Sequence, residues 1–341
     1  MKSSANAATT ANGIAGPLAR VILPVQTELD EVDRRIVGQT QAFDPAIEGY
    51  VSYAIAGGGK RLRPLVALLS GGATGSLSAG HLDLAVIVEL IHLATLVHDD
   101  IMDEADRRRS QPTVNARWGN SLGVLLGDVL FSHALNLSTA FDDLLISRTI
   151  ARTATEVCSG EMIQTQRRFD LHLSREEYFR IIAMKTGSLF ACAAELGAVI
   201  SRAPANVVKR LKNFGAKVGT AYQIYDDCLD IAGTESETGK TLGTDLRKGK
   251  LTLPVLVLLG SASAFDRERC CAMILEGKLE EVTMLLQSAP ADGALATSVE
   301  IATELVREAQ AELGPLPPNP YTDALVDFGE ALLELLEQFR S

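Results

Sequence analysis

The chain has 341 residues, 47% hydrophobic and only 5% aromatic, with a formal net charge of -11. That is enough apolar sequence for a sizeable core, and the acidic balance excludes a broad nucleic-acid-binding face, which needs a basic surface. The five cysteines (Cys158, Cys192, Cys228, Cys270 and Cys271) are odd in number and lack C-x-x-C spacing, so they read as reduced thiols rather than a disulfide frame or zinc site.

Residues 1–16 are small and polar and are expected to form a disordered tail ahead of one domain over 17–341. Helical periodicity starts near Leu18, and alternating strand patterns are scarce, so the expected fold class is all-α, a single-domain helical bundle. Glycine and proline mark breaks at Ala56–Gly59 and Gly71–Gly75. Leu82 to Val97 is apolar nearly all round, as a central bundle helix should be. Within it Leu84 to Val97 comes nearest to a membrane span, but it carries Glu89 and His92; no uninterrupted apolar run is expected, and the protein reads as soluble and cytoplasmic. Ser174 to Glu177 is a capping-box pattern that opens a further helix. Val207 to Ile231 reads as a long helix, followed by the longest polar, Gly-rich loop, Gly233 to Lys250, whose lysines suit a phosphate-gripping lid. Breaks at Ser288–Gly293 and Gly314–Pro320 precede a last helix, Tyr321 to Phe339.

Two acidic clusters share one spacing: Asp99-Asp100-x-x-Asp103 and Asp226-Asp227-x-x-Asp230. On a helix the first and last carboxylates of each cluster stack on one face, where they repel one another and gain little solvation among apolar neighbours. A hard cation relieves both problems, and magnesium is usually held by a few carboxylates completed by water and a substrate diphosphate. A solvated acidic face is the alternative, but the flanks LATLV and YQIY make poor surface.

Basic residues surround both clusters. Lys60 and Arg63 stand three apart after two glycines and are expected on one side of a helical turn. Arg107, Arg108 and Arg109 follow the first cluster, and Lys240, Arg247, Lys248 and Lys250 follow the second. Arginine forks and lysine point charges are the usual phosphate ligands. Gly233 to Thr241 nearly matches a P-loop, but the spacing is one residue too long and the stretch follows a helix, so an NTPase is excluded. His81 and His133 read as structural, His172 precedes the Ser174 cap, and His92 lies two turns before Asp99 on its face.

Taken together, GGKRLRP, ELIHLATLVHDDIMDEADRRR, MKTGSLF, YQIYDDCLD and GKTLGTDLRKGKLTLP resemble the trans-polyprenyl diphosphate synthases, and most closely their long-chain members of the octaprenyl and solanesyl type. The resemblance implies an isoprenoid synthase fold, a helical bundle around a deep cavity, and a homodimer. It implies magnesium, three ions with a bound allylic diphosphate, on Asp99, Asp100, Asp103, Asp226, Asp227 and Asp230. It places Arg108, Lys185, Thr186, Gln223 and Lys240 on the allylic diphosphate with Lys250 close by, and Lys60, Arg63, His92 and Arg109 on isopentenyl diphosphate. Catalysis would rest on Asp99, Asp103, Arg108, Lys185, Asp226 and Lys240. Ser110 departs from the glycine common at that position. Position 94, five before Asp99, often carries an aromatic floor in short-chain members; Ala94, with Thr95 beside it, leaves the tunnel open unless Phe131 or Leu135 closes it. The expected activity is head-to-tail condensation giving a hexaprenyl to nonaprenyl product for a quinone side chain, with peripheral membrane contact for release. Alternatives are a farnesyl or geranylgeranyl diphosphate synthase, a class I terpene cyclase, which has no reason to keep Lys60, Arg63 and His92, and a non-catalytic partner subunit, which tends to lose its acidic residues.

Overall fold

The computed structural model describes residues 15–109, 111–234, 243–287 and 293–340. In chain order its α-helices are α1 (Ala15–Ile22), α2 (Gln26–Gly38), α3 (Pro45–Ala56), α4 (Leu62–Thr74), α5 (Ala79–Met102), α6 (Val114–Trp118), α7 (Asn120–Ser138) and α8 (Leu144–Gln166). They continue as α9 (Arg175–Ile182), α10 (Ser188–Ile200), α11 (Ala205–Ala232), α12 (Thr244–Arg247), α13 (Leu253–Ser261), α14 (Ala264–Leu275), α15 (Leu279–Gln287), α16 (Ala294–Leu313) and α17 (Pro320–Glu337). The all-α expectation holds. Among the described residues the strands are Arg107–Arg108 and Gln111–Pro112, one two-stranded antiparallel ladder.

Helix starts follow side-chain chemistry legible in the sequence. Asp44 accepts from the Ala46 amide at 2.8 Å ahead of Pro45, and Ser174 accepts from the Glu177 amide at 3.1 Å, as the capping box predicts. His81 begins α5 by accepting the Ser78 amide on Nδ1 at 3.1 Å while Nε2 lies 3.1 Å from the Gly197 carbonyl, which confirms its structural role.

Helix α5 is the centre of the bundle. Leu84, Ile87, Leu90 and Ile91 are wholly buried, and the helix packs against α2, α4, α7 and α10. Helix α11 packs on α10 and α16, so both acidic clusters sit on helices that share α10 as a neighbour. A nearly all-apolar helix loses no solvated face there, and burial of each large aliphatic side chain contributes about 1.5–3 kcal/mol.

Two expectations need correcting. Gly71 and Gly72 do not break the chain; they lie inside α4, because a Cβ at Gly71 would fall 2.3 Å from the His81 ring and one at Gly72 2.4 Å from the Tyr321 ring. Close helix contact, rather than a turn, requires them. Second, three helical runs are long and apolar enough to cross a membrane by length and composition: Ala79–Met102, Asn120–Ser138 and Arg175–Ile200. The first and third are 67% and 72% buried inside the fold, so packing against other helices already takes up most of their apolar surface.

Candidate active site

The first cluster occupies the last turn of α5. Asp100 is buried, and its Oδ1 accepts from Arg108 Nε at 2.9 Å and Nη2 at 2.8 Å. Asp103 caps the helix with each oxygen on a cation: Oδ1 accepts from Arg168 Nη2 at 3.1 Å and Oδ2 from Lys250 Nζ at 2.8 Å. Burial would raise the Asp103 carboxyl, but Lys250, together with Lys248 and Lys185, outweighs it and holds the group below its ordinary value. Asp99 has no side-chain hydrogen bond among the described residues, and burial pushes its pKa up to about 6.

The strand pair after α5 separates neighbouring arginines. Arg108 turns to Asp100, while Arg109, in a left-handed conformation with φ 49°, donates Nη1 to the Gly57 carbonyl at 2.9 Å and to that of Gly58. The switch from the extended Arg108 to the left-handed Arg109 thus sends one arginine to the acidic cluster and the next to the Gly57–Lys60 turn. There Lys60 Nζ donates to Tyr222 Oη at 3.2 Å, and the Arg63 guanidinium lies 4.8 Å from the Phe190 ring centroid. Lys60 precedes α4, which starts at Leu62, so Lys60 and Arg63 do not share a helical turn; they converge because Arg61 is left-handed, φ 52°. His92 is half-buried, and burial together with Arg63, Arg108 and Arg109 keeps its pKa well below the usual value, so the ring is neutral.

The second cluster ends α11. Gln223 lies on the face of Asp227, as the i, i+4 spacing predicts, and donates Nε2 to Asp227 Oδ1 at 2.9 Å. Tyr178 of α9 donates its hydroxyl to Asp227 Oδ2 at 2.5 Å, and Thr186 donates to Gln223 Oε1 at 2.7 Å. Burial first, then the Asp245 charge, push Asp227 up to about 7 although both hydrogen bonds pull it down. Asp230, also buried, accepts from the Asp245 amide at 3.1 Å and the Thr244 amide at 3.3 Å. Asp226 is half-buried and close enough to raise the Lys60 ammonium, against the larger effect of burial.

Between α9 and α10, Ala183–Gly187 forms a π-helical turn that carries Lys185 and Thr186. Such turns displace side chains out of α register and recur at functional sites. Lys185 Nζ lies 2.5 Å from Glu161 Oε2 and donates to Gln164 Oε1 at 2.9 Å. Burial would lower this ammonium, but Asp99 and Glu161 hold it above its ordinary value. Sequence reasoning missed Glu161, Gln164, Arg168 and the role of Tyr178. The i, i+3 spacing of Glu161 and Gln164 on α8 was an available signal for that pair; nothing local marks Arg168.

Ala94 is fully buried, whereas Thr95, Phe131 and Leu135 are half-buried and Thr95 donates to the His92 carbonyl at 2.8 Å. Lys240, the Gly233–Thr241 stretch beyond Thr234, Ser110 and most of the 1–16 tail lie outside the described residues.

The donor set suits a divalent cation that brings ligands of its own. Among the described residues no three His, Cys, Asp or Glu side chains converge to hold an ion unaided. What is present is a half-buried carboxylate, Asp99, raised to about 6 by desolvation, beside Asp103, whose two oxygens are already neutralised by cations. That is oxygen-only chemistry in want of positive charge, and it fits magnesium whose remaining ligands come from a diphosphate and water.

Residues 44–288 match the polyprenyl synthetase family model. The chain belongs to this family. It is 34% identical over 278 residues to the octaprenyl diphosphate synthase of Escherichia coli, covering 80% of this chain and 85% of that one. The crystal structure of a decaprenyl diphosphate synthase from Rhodobacter capsulatus superposes with a TM-score of 0.86 at 32% identity, over 95% of this chain and 100% of that one. A polyprenyl synthase from Caulobacter crescentus, complexed with calcium and isoprenyl diphosphate, gives 0.86 at 32% identity over 93% and 97%. This family member is therefore a prenyltransferase of the trans-polyprenyl diphosphate synthase type, and its helical fold is the family's.

Proposed function

We propose that this polyprenyl synthase condenses isopentenyl diphosphate with an allylic diphosphate, on magnesium held by the two acidic clusters, and extends the chain to a hexaprenyl to nonaprenyl diphosphate for a quinone side chain. The observation that carries the reading is the Lys250–Asp103 contact of 2.8 Å, by which the segment after the second acidic cluster reaches the first. The charges of Arg108, Lys185 and Lys250 all act on Asp99, which supports a shared centre.

Magnesium would supply Lewis-acid charge to the allylic diphosphate, three ions in all, held by Asp99, Asp100, Asp103, Asp226, Asp227 and Asp230. Arg108, Lys185, Thr186, Gln223, Lys240 and Lys250 would hold the same diphosphate and take up charge as the allylic C–O bond ionises. Lys60, Arg63, His92 and Arg109 would fix isopentenyl diphosphate with its double bond toward the allylic carbon. The neutral His92 ring can donate one N–H to a phosphate oxygen without adding charge. The octaprenyl and nonaprenyl diphosphate synthases among the relatives support the product range, as does the absence of an aromatic side chain at position 94. The exposed Val124 and Leu125 on α7 offer apolar surface for a second copy in a homodimer. A cytoplasmic enzyme that meets the membrane only to release product accords with the burial of α5 and the Arg175–Ile200 run.

Incubation with labelled isopentenyl diphosphate and geranyl, farnesyl or geranylgeranyl diphosphate, with magnesium or after chelation, tests the reading. The expected result is metal-dependent formation of all-trans C30 to C45 products. Condensation that survives chelation overturns the metal assignment, and a product that stops at farnesyl or geranylgeranyl diphosphate overturns the chain length.

A further inference from the structure

The Gly57–Lys60 turn rests on a buried ion pair that neither the motif reading nor the family match assigns. Glu89, nearly three turns before Asp99 and one before His92, is 2% exposed in the middle of α5. Its Oε1 accepts from Arg61 Nη1 at 2.7 Å, and Arg61 Nε reaches Asp33 Oδ1 on α2 at 2.7 Å. Arg61 holds its left-handed conformation, which a non-glycine residue adopts at a cost of about 1–3 kcal/mol, under this double restraint. That backbone twist sends Lys60 toward Tyr222 while Arg63, two residues on, lies over Phe190. The turn closes down on the pair: a Cβ at Gly59 would lie 3.2 Å from Glu89 Oε1 and 3.3 Å from Arg61 Nη1. Arg109 ties the same turn from the other side through the Gly57 and Gly58 carbonyls.

We propose that Glu89 is a positioning residue: through its ion pair with Arg61 it sets the turn that aims Lys60, Arg63 and Arg109 at isopentenyl diphosphate. The proposal rests on the assignment of those three cations to that substrate.

Simple electrostatics predicts the opposite sign, which makes the test sharp. Glu89 is a buried anion among Lys60, Arg61, Arg63 and Arg109, with Asp33 on Arg61 and Asp226 near Lys60 and Arg63, so removing its charge raises the local positive potential and by itself favours a diphosphate. Positioning predicts that Glu89→Gln, which keeps the shape, weakens isopentenyl diphosphate. Its KM is expected to rise about ten-fold or more, with the allylic KM changed less than about two-fold. Gly59→Ala keeps every charge and crowds the pair, so it is expected to give the same split, and it stands as the test if Glu89→Gln does not fold. Arg61→Lys, a cation without the fork, is expected to recover only part of the loss. A fall in the isopentenyl KM of Glu89→Gln, equal rises for both substrates, or an unchanged isopentenyl KM in Gly59→Ala overturns the proposal. Wild-type protein that does not use isopentenyl diphosphate at all fails the functional reading instead, a different result.

Discussion

Tyr178→Phe removes one oxygen from the centre of the hydrogen-bond chain that runs from Tyr178 to Asp227 and from Thr186 through Gln223 to the same carboxylate. The ring stays, so the packing of a side chain that is 2% exposed is preserved and the loss is the donor at 2.5 Å. Asp227 is raised to about 7 by burial, then by Asp245, against two hydrogen bonds that favour the charged form. Its folded value lies above the ordinary unfolded value of about 3.9, so the folded protein binds this proton more tightly. Metal-free wild type therefore keeps this contribution below about pH 4 and loses it as pH rises through about 7, by up to about 4 kcal/mol for a shift of some three units. Loss of the Tyr178 donor raises Asp227 further. At about pH 6 the carboxyl is protonated in both proteins, and the variant lacks one hydrogen bond worth about 1 kcal/mol. If the pKa rises by about two units, the difference at about pH 8.5 grows by roughly 2 kcal/mol, because wild type ionises and the variant does not. Urea unfolding of both metal-free proteins at the two pH values measures this directly. A destabilisation that is equal at both, or larger at the lower pH, refutes the assignment of Tyr178 as the donor that keeps Asp227 ionisable.

Two further outcomes follow from the same site. Asp99→Asn removes a carboxylate raised to about 6 by burial, so the metal-free protein is expected to be no less stable near neutral pH while turnover falls by orders of magnitude; a clear loss of metal-free stability by calorimetry counts against the desolvation account. Ala94→Phe is expected to shorten the product by several isoprene units at a packing cost of about 1–3 kcal/mol, since Ala94 is fully buried, and unchanged product length in chromatography of the extracted prenols rejects position 94 as a determinant.

The sequence by itself determined the helical class, the helix that carries each acidic cluster and the family, because these are written in local spacing and motif. Asp99 and Asp103, or Gln223 and Asp227, share a face through the 3.6-residue period alone, and the Ser174 cap is a contact within one turn. Tertiary structure decided what each group touches. That Asp103 is held between Arg168 and Lys250, 65 and 147 positions away, has no local signature. The π-turn that turns out Lys185 and Thr186 arises where Gly160 and Gly187 let the segment close on α8 and α11, a packing effect no periodicity reveals. Gly71 and Gly72 looked like a chain break because glycine is ambiguous in sequence; His81 and Tyr321, arriving from distant helices, make it a contact surface. Arg61 and Glu89 show the same limit. One sits among the basic residues of a Gly-rich turn and the other in an apolar helix, and only the fold, by burying them 2.7 Å apart, makes them a pair. Short-range periodicity is encoded residue by residue, whereas desolvation and long-range pairing exist only once the chain has folded.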